Sequence, residues 1–100
     1  MLQITPHHRL FLVIEPVDFR KGIDGLRAMC QREWKQDPFG GSLFIFRNKR
    51  STAVKLLIYD GNGFWLCHKR FSSGKLKWWP STVLEATKIR SVELVVMLQQ

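Results

Sequence analysis

Acidic side chains are scarce in this sequence. Its 100 residues hold eight Asp and Glu against 16 Lys and Arg, for a net charge of +8. A deficit of one sign bears on partners and not on fold. Nucleic acid is the commonest polyanion a basic domain meets. Long apolar runs are missing as well. No stretch approaches the roughly 18–20 residues of a membrane span, so no membrane partner is expected. The opening "MLQITPHHRLFLVIEP" has a short apolar core but neither a basic leading region nor a small-residue cleavage site, so no signal peptide is read there. Cysteine is limited to Cys30 and Cys67. Their spacing fits no metal motif. Both sit in apolar surroundings, which suits buried thiols in a reducing compartment, with a disulfide as the alternative. Internal repeats, low-complexity tracts and linkers are absent. The length predicts a single domain over 1–100, and 45% hydrophobic residues suit a folded globule with a modest core.

Catalytic chemistry is also thinly represented. The acids Glu15, Asp18, Asp24, Glu33, Asp37, Asp60, Glu85 and Glu93 read as caps, turn residues or helix-surface charges. Nothing in their spacing proposes the converging carboxylates of a metal-dependent nuclease. His7 and His8 lie near the N-terminus, and His68 falls within a strand. "GIDG" and "DGNG" lack the flanks of a phosphate-binding loop. The expectation is a protein with no catalytic residues, no metal, no cofactor and no small-molecule substrate.

What the sequence does have is concentrated cation. Residues 47–77 carry Arg47, Lys49, Arg50, Lys55, Lys69, Arg70, Lys75 and Lys77 against Asp60, a net +7, whereas 1–46 carry net +1 and 78–100 none. A charge kept only for solubility would be spread more evenly. The same segment reads as consecutive strands at 42–47, 54–59, 64–71 and 75–79, joined by short polar turns. "DGNG" at 60–63 is a hairpin signal because Asp-Gly and Asn-Gly tolerate positive φ. Short loops imply antiparallel neighbours. A further buried strand is expected at 9–14, bounded by Pro6 and Pro16.

Phe19, Ile23, Leu26, Cys30 and Trp34 recur at one helical face, which predicts a helix at about 19–35 with Asp18 as its N-cap. Gly22 and Gly25 each cost about 1 kcal/mol inside a helix. Either the helix begins late, near Gly22, or another backbone approaches its first turn. "QDPFGG" ends it. Ile89, Val92 and Val96 suggest a short C-terminal helix. The expected fold class is α+β, an antiparallel sheet of about five strands packed on one main helix, with that short helix at the end.

Lys and Arg neutralise phosphates and release counterions, and aromatic residues on a sheet stack on bases. The expected nucleic-acid contacts are therefore Arg47, Lys49, Arg50, Lys55, Lys69, Arg70, Lys75 and Lys77, extended by Arg20 and Lys21. The loop "RNKRS" is the foremost element among them. Trp65, Trp78 and Trp79 read either as base platforms or as core.

Four ordered motifs carry a family resemblance: "VDFRKGIDGL" at 17–26, "DPFGGSLFIFRNKR" at 37–50, "KLLIYDGNGFWL" at 55–66 and "KRFSSGKLKWWP" at 69–80. Together they resemble the small accessory proteins, TnpB type, encoded by the second open reading frame of bacterial insertion sequences of the insertion sequence 66 family. The likeness covers roughly residues 9–98. The usual family pattern DMRKGFDGL has Phe19 and Ile23 here in place of Met and Phe, which keeps the stripe apolar. After Arg50 this chain has "STA" where an acidic or Gly-Asp pair is common. The resemblance implies a role in transposition beside a separate transposase that holds the catalytic acids, in the cytoplasm of a bacterium and without a known cofactor. The charge argument adds DNA as partner. The rival reading is a protein–protein adaptor that docks on the transposase.

Overall fold

The computed structural model describes residues 4–5 and 7–99. Strand β1 (Leu10–Leu12) leads through helix α1 (Ile23–Arg32) to β2 (Leu43–Arg47), β3 (Ala53–Tyr59) and β4 (Phe64–Arg70), and helices α2 (Val83–Thr87) and α3 (Ser91–Leu98) follow. The Pro6 boundary expected for the first strand lies outside the described residues.

The sheet is mixed and four-stranded, in the order β1-β2-β3-β4. This corrects the expected five antiparallel strands in two places. First, β1 runs parallel to β2. The 30 residues between them include α1, a crossover long enough to return the chain to the same end of the sheet. Second, residues 75–79 pair with no strand. They form a strap that crosses the end of the sheet: the Leu76 amide donates to the Ser51 carbonyl at 2.8 Å, and the Trp79 indole donates to the Val13 carbonyl at 3.0 Å. Pro80 has no amide with which to continue a ladder. The hairpins at 43–59 and 53–70 form as expected, with Phe44 opposite Leu57 and Ile58 opposite Trp65.

Both sheet faces are covered. On one, Leu26 and Cys30 of α1 pack with Val13, Phe44, Phe46 and Leu57, flanked by Phe19, Ile23 and Trp34. Every member of the sequence stripe belongs to this cluster. On the other, Leu94 of α3 packs with Leu12, Leu43, Ile45, Leu56 and Ile58. Each fully buried Leu or Phe contributes about 1.5–3 kcal/mol. Three helices, not one main helix, make the outer layers. The two cysteines fall in different clusters on opposite faces and are both free thiols, so the disulfide alternative does not hold.

Helix α1 begins at Ile23, with Gly22 as N-cap in an extended conformation, and not at residue 19. The cause is on β3. Lys55 is 6% exposed, and its ammonium donates to the Phe19 carbonyl at 2.8 Å and the Lys21 carbonyl at 3.0 Å. In a helix those carbonyls would accept from Ile23 and Gly25. Asp18 is likewise not a cap for α1. Its carboxylate accepts from the Arg20 amide and side chain within the preceding turn. A side chain at Gly22 would meet open space, so no backbone approaches there.

Candidate nucleic-acid interface

Strands β2, β3 and β4 bring the basic segments to one end of the sheet. β2 leaves the sheet after Arg47 and β3 re-enters at Ala53. The intervening loop is shaped by Asn48, whose side-chain carbonyl accepts from the Thr52 and Ala53 amides at 2.9 and 3.1 Å, while Ser51 takes a φ of 56°. That loop lifts Lys49 and Arg50 into solvent. Pairing of Ala53 with Arg70 and of Val54 with Lys69 sets the end of β4 beside it. The Phe71 amide donates to the Thr52 carbonyl at 2.9 Å, which starts the strap that carries Lys75 and Lys77. From the α1 side, Lys55 holds the segment bearing Arg20 and Lys21 to the same end. A cavity of about 420 Å³ lies between residues 16–19 and 48–50.

The sequence-expected residues therefore divide. Lys49, Arg50, Lys69, Arg70, Lys75, Lys77, Arg20 and Lys21 are exposed at this end. Lys49, Arg50 and Arg70 make no ion pair among the described residues. The Lys69 ammonium donates to the Leu98 carbonyl and lies 5.7 Å from the Phe71 ring centroid. Arg47 turns inward. Its guanidinium donates to the Ile14 carbonyl at 3.0 Å and to the Ser51 hydroxyl at 3.3 Å, and lies 6.0 Å from the Trp79 ring centroid. Lys55 is buried, as described above. Trp78 is 43% exposed on the strap, whereas Trp79 is partly buried beneath it. Trp65 is 45% exposed but stands at the opposite end, beside the 60–63 turn, where its indole donates to the Asp60 carboxylate at 2.7 Å. Phe39, Tyr59 and Phe64 form an aromatic triangle at that far end, with centroids 5.0–5.2 Å apart.

Acids near the basic end are few. Arg20 binds Asp18 at 2.7 Å, and its side-chain and backbone hydrogen bonds hold the Asp18 carboxyl at about 2, below the ordinary 3.8. Because this folded-state value is depressed, the stabilisation from the pair is present above about pH 4 and is lost as pH falls through about 2. Arg20→Ala is expected to raise the Asp18 value toward 3.8, stopping short because the residue-20 amide still donates; a carbon-detected NMR titration checks it. Asp60 is also lowered, chiefly by the Asn62 amide and then by the Trp65 indole.

Asn48 is the contributor that sequence reading missed. The signal was an Asn four residues ahead of Thr52, the spacing at which its amide bridges a loop. Among the described residues no group of three His, Cys, Asp or Glu is arranged to hold a metal, and no helix is long and apolar enough to cross a membrane.

The family model described as IS66 Orf2 like protein matches residues 8–100 of this chain. Over 67 residues the chain is 39% identical to "Uncharacterized protein y4jC" of Sinorhizobium fredii (strain NBRC 101917 / NGR234), an alignment that covers 67% of this chain and 57% of that relative. Over 98 residues it is 31% identical to "Uncharacterized protein y4hO" of the same strain, covering 98% of this chain and 84% of the relative. The matched region thus spans just over half the length of the first relative and most of the second. No solved structure matches.

Proposed function

The chain belongs to the IS66 Orf2-like family, and from that premise we propose that it serves DNA transposition as a non-catalytic accessory factor that holds nucleic acid at the basic end of its sheet. The observation that supports the reading is the meeting, at one end, of exposed cations from three separated stretches: 20–21, 49–50 and 69–77. Helices cover both faces over β1–β3, so the only open sheet on which bases could stack is the β4 edge. Phosphates reached by loop cations are the fitting target, with Trp78 the aromatic residue nearest to them. Arg47 and Lys55 drop out of the contact set because their side chains turn into the fold and donate to backbone carbonyls there, whereas Lys69 stays exposed although it donates to the Leu98 carbonyl. Trp65 drops out because it stands at the far end.

Titration of a labelled duplex at several salt concentrations tests this. With about six phosphate contacts, log affinity should fall against log salt with a slope near −5. Failure to bind at low salt would sink the proposal and favour the second reading, an adaptor docked on the transposase. That reading draws on the exposed Val83 and Leu84 of α2 and Val92 and Val96 of α3, each 65–69% exposed.

A further inference from the structure

One acid sits inside the basic end, on the cleft of about 420 Å³ between residues 16–19 and 48–50. The Asp18 carboxylate lines that cleft and accepts from the Arg20 guanidinium, from Nε at 3.0 Å and from Nη2 at 2.7 Å. The backbone at Arg20 is held as well. Lys55 takes the carbonyls of its two neighbours, Phe19 and Lys21, and the Arg20 amide donates to Asp18 at 2.9 Å. Yet the Arg20 side chain is 91% exposed, and its Nη1 meets no partner among the described residues. Arg20 is thus a solvent-facing cation with its backbone and one guanidinium edge already fixed. Across the cleft, the Ser51 amide donates to the Asn48 carbonyl and closes a turn. The Lys49 and Arg50 amides within that turn have no partner among the described residues. Successive free amides in a turn are suited to receive an anion.

An Arg fork can give one edge to a carboxylate and the other to a phosphate. Two effects then oppose. The Asp18 carboxylate repels a phosphate about 6 Å away, which weakens affinity about threefold. Freezing a loose Arg side chain costs up to about thirtyfold in affinity, and Asp18 has already met that cost. Orientation therefore outweighs repulsion. Building on the nucleic-acid reading, we propose that the cleft seats one backbone phosphate between the Arg20 fork and the Lys49 and Arg50 amides, and that Asp18 is a positioning residue that strengthens this contact despite its charge.

Asp18→Asn keeps an acceptor for the Arg20 amide and adds one unit to the net charge of +8, so charge alone favours tighter binding. Titration of a labelled duplex at about 0.1 M salt should instead show binding about three- to tenfold weaker. In an Arg20→Ala background the sign should reverse, and the same substitution should tighten binding by up to about threefold. The Arg20 Nε resonance should shift when the wild-type chain is saturated with duplex. An Asp18→Asn effect of the same sign in both backgrounds overturns the proposal, as does no effect in the wild-type background or an Arg20 Nε resonance that duplex does not move. Each of these results leaves the broader reading standing. Failure of the wild-type chain to bind duplex at low salt sinks both.

Discussion

Replacing Lys49, Arg50 and Arg70 together with Ala is expected to lower affinity for duplex DNA by two to three orders of magnitude at about 0.1 M salt. The log–log salt slope should become shallower by about 2.7. The arithmetic follows from counterion release. Each lost phosphate contact removes about 0.9 from the slope, which at this salt is about eightfold in affinity. The fold should survive, because all three side chains are exposed and none forms an ion pair among the described residues. Exposed substitutions of this kind stay within about 0.5 kcal/mol. Arg47→Ala makes the contrast. It should lower stability, through the lost bond to Ile14 and the lost contact with Trp79, and leave the slope nearly unchanged. An unaltered affinity in the triple variant would mean that the cations at this end do not face DNA.

Lys55→Ala should destabilise the protein by roughly 3–5 kcal/mol. Two charge-assisted hydrogen bonds are lost, each worth about 1.5–3 kcal/mol, and two carbonyls lose their donor. The ammonium also lies 4.9 Å from the Phe19 ring centroid, a further attraction lost with it. Lys55→Met keeps most of the stem and should cost less, about 2–3 kcal/mol. Urea unfolding monitored by tryptophan fluorescence measures both. Amide exchange should quicken at 19–22 in either variant, because that stretch is pinned by this side chain. A loss under about 1 kcal/mol in Lys55→Ala would show that the ammonium is not committed inward, and would return Lys55 to the pool of phosphate ligands.

The apolar stripe from Phe19 to Trp34 and the Asp-Gly-Asn-Gly hairpin were legible because each rests on a local period or a local φ requirement. The direction of β1 was not. It depends on where a helical crossover sets the chain down. The late start of α1 near Gly22 was one of the two readings its glycines left open, and it holds; its cause was not legible, because Lys55, more than 30 positions away, captures the carbonyls that an earlier start would have used. Lys55 and Arg47 looked like surface cations because charge in a strand usually marks a wetted face. Here both faces are roofed, and these two side chains became internal ties. The 75–79 stretch had strand composition, yet its Leu76 amide serves the Ser51 carbonyl and its Trp79 indole serves the Val13 carbonyl, which no pairing rule anticipates. Clustering of the remaining cations was legible in outline, since 47–77 held nearly all the excess. Addition of Arg20 and Lys21 to the same end depended on the tie from Lys55.

The molecule measures 34 × 29 × 29 Å along its principal axes. At 3.4 Å per base pair, a duplex laid across any one end is covered for about nine steps, less than a full helical turn. A footprint that short cannot encircle its target. Under the proposed function, grip over a longer tract comes from several copies spaced along the groove, or from one copy reinforcing a larger machine that already holds the strand.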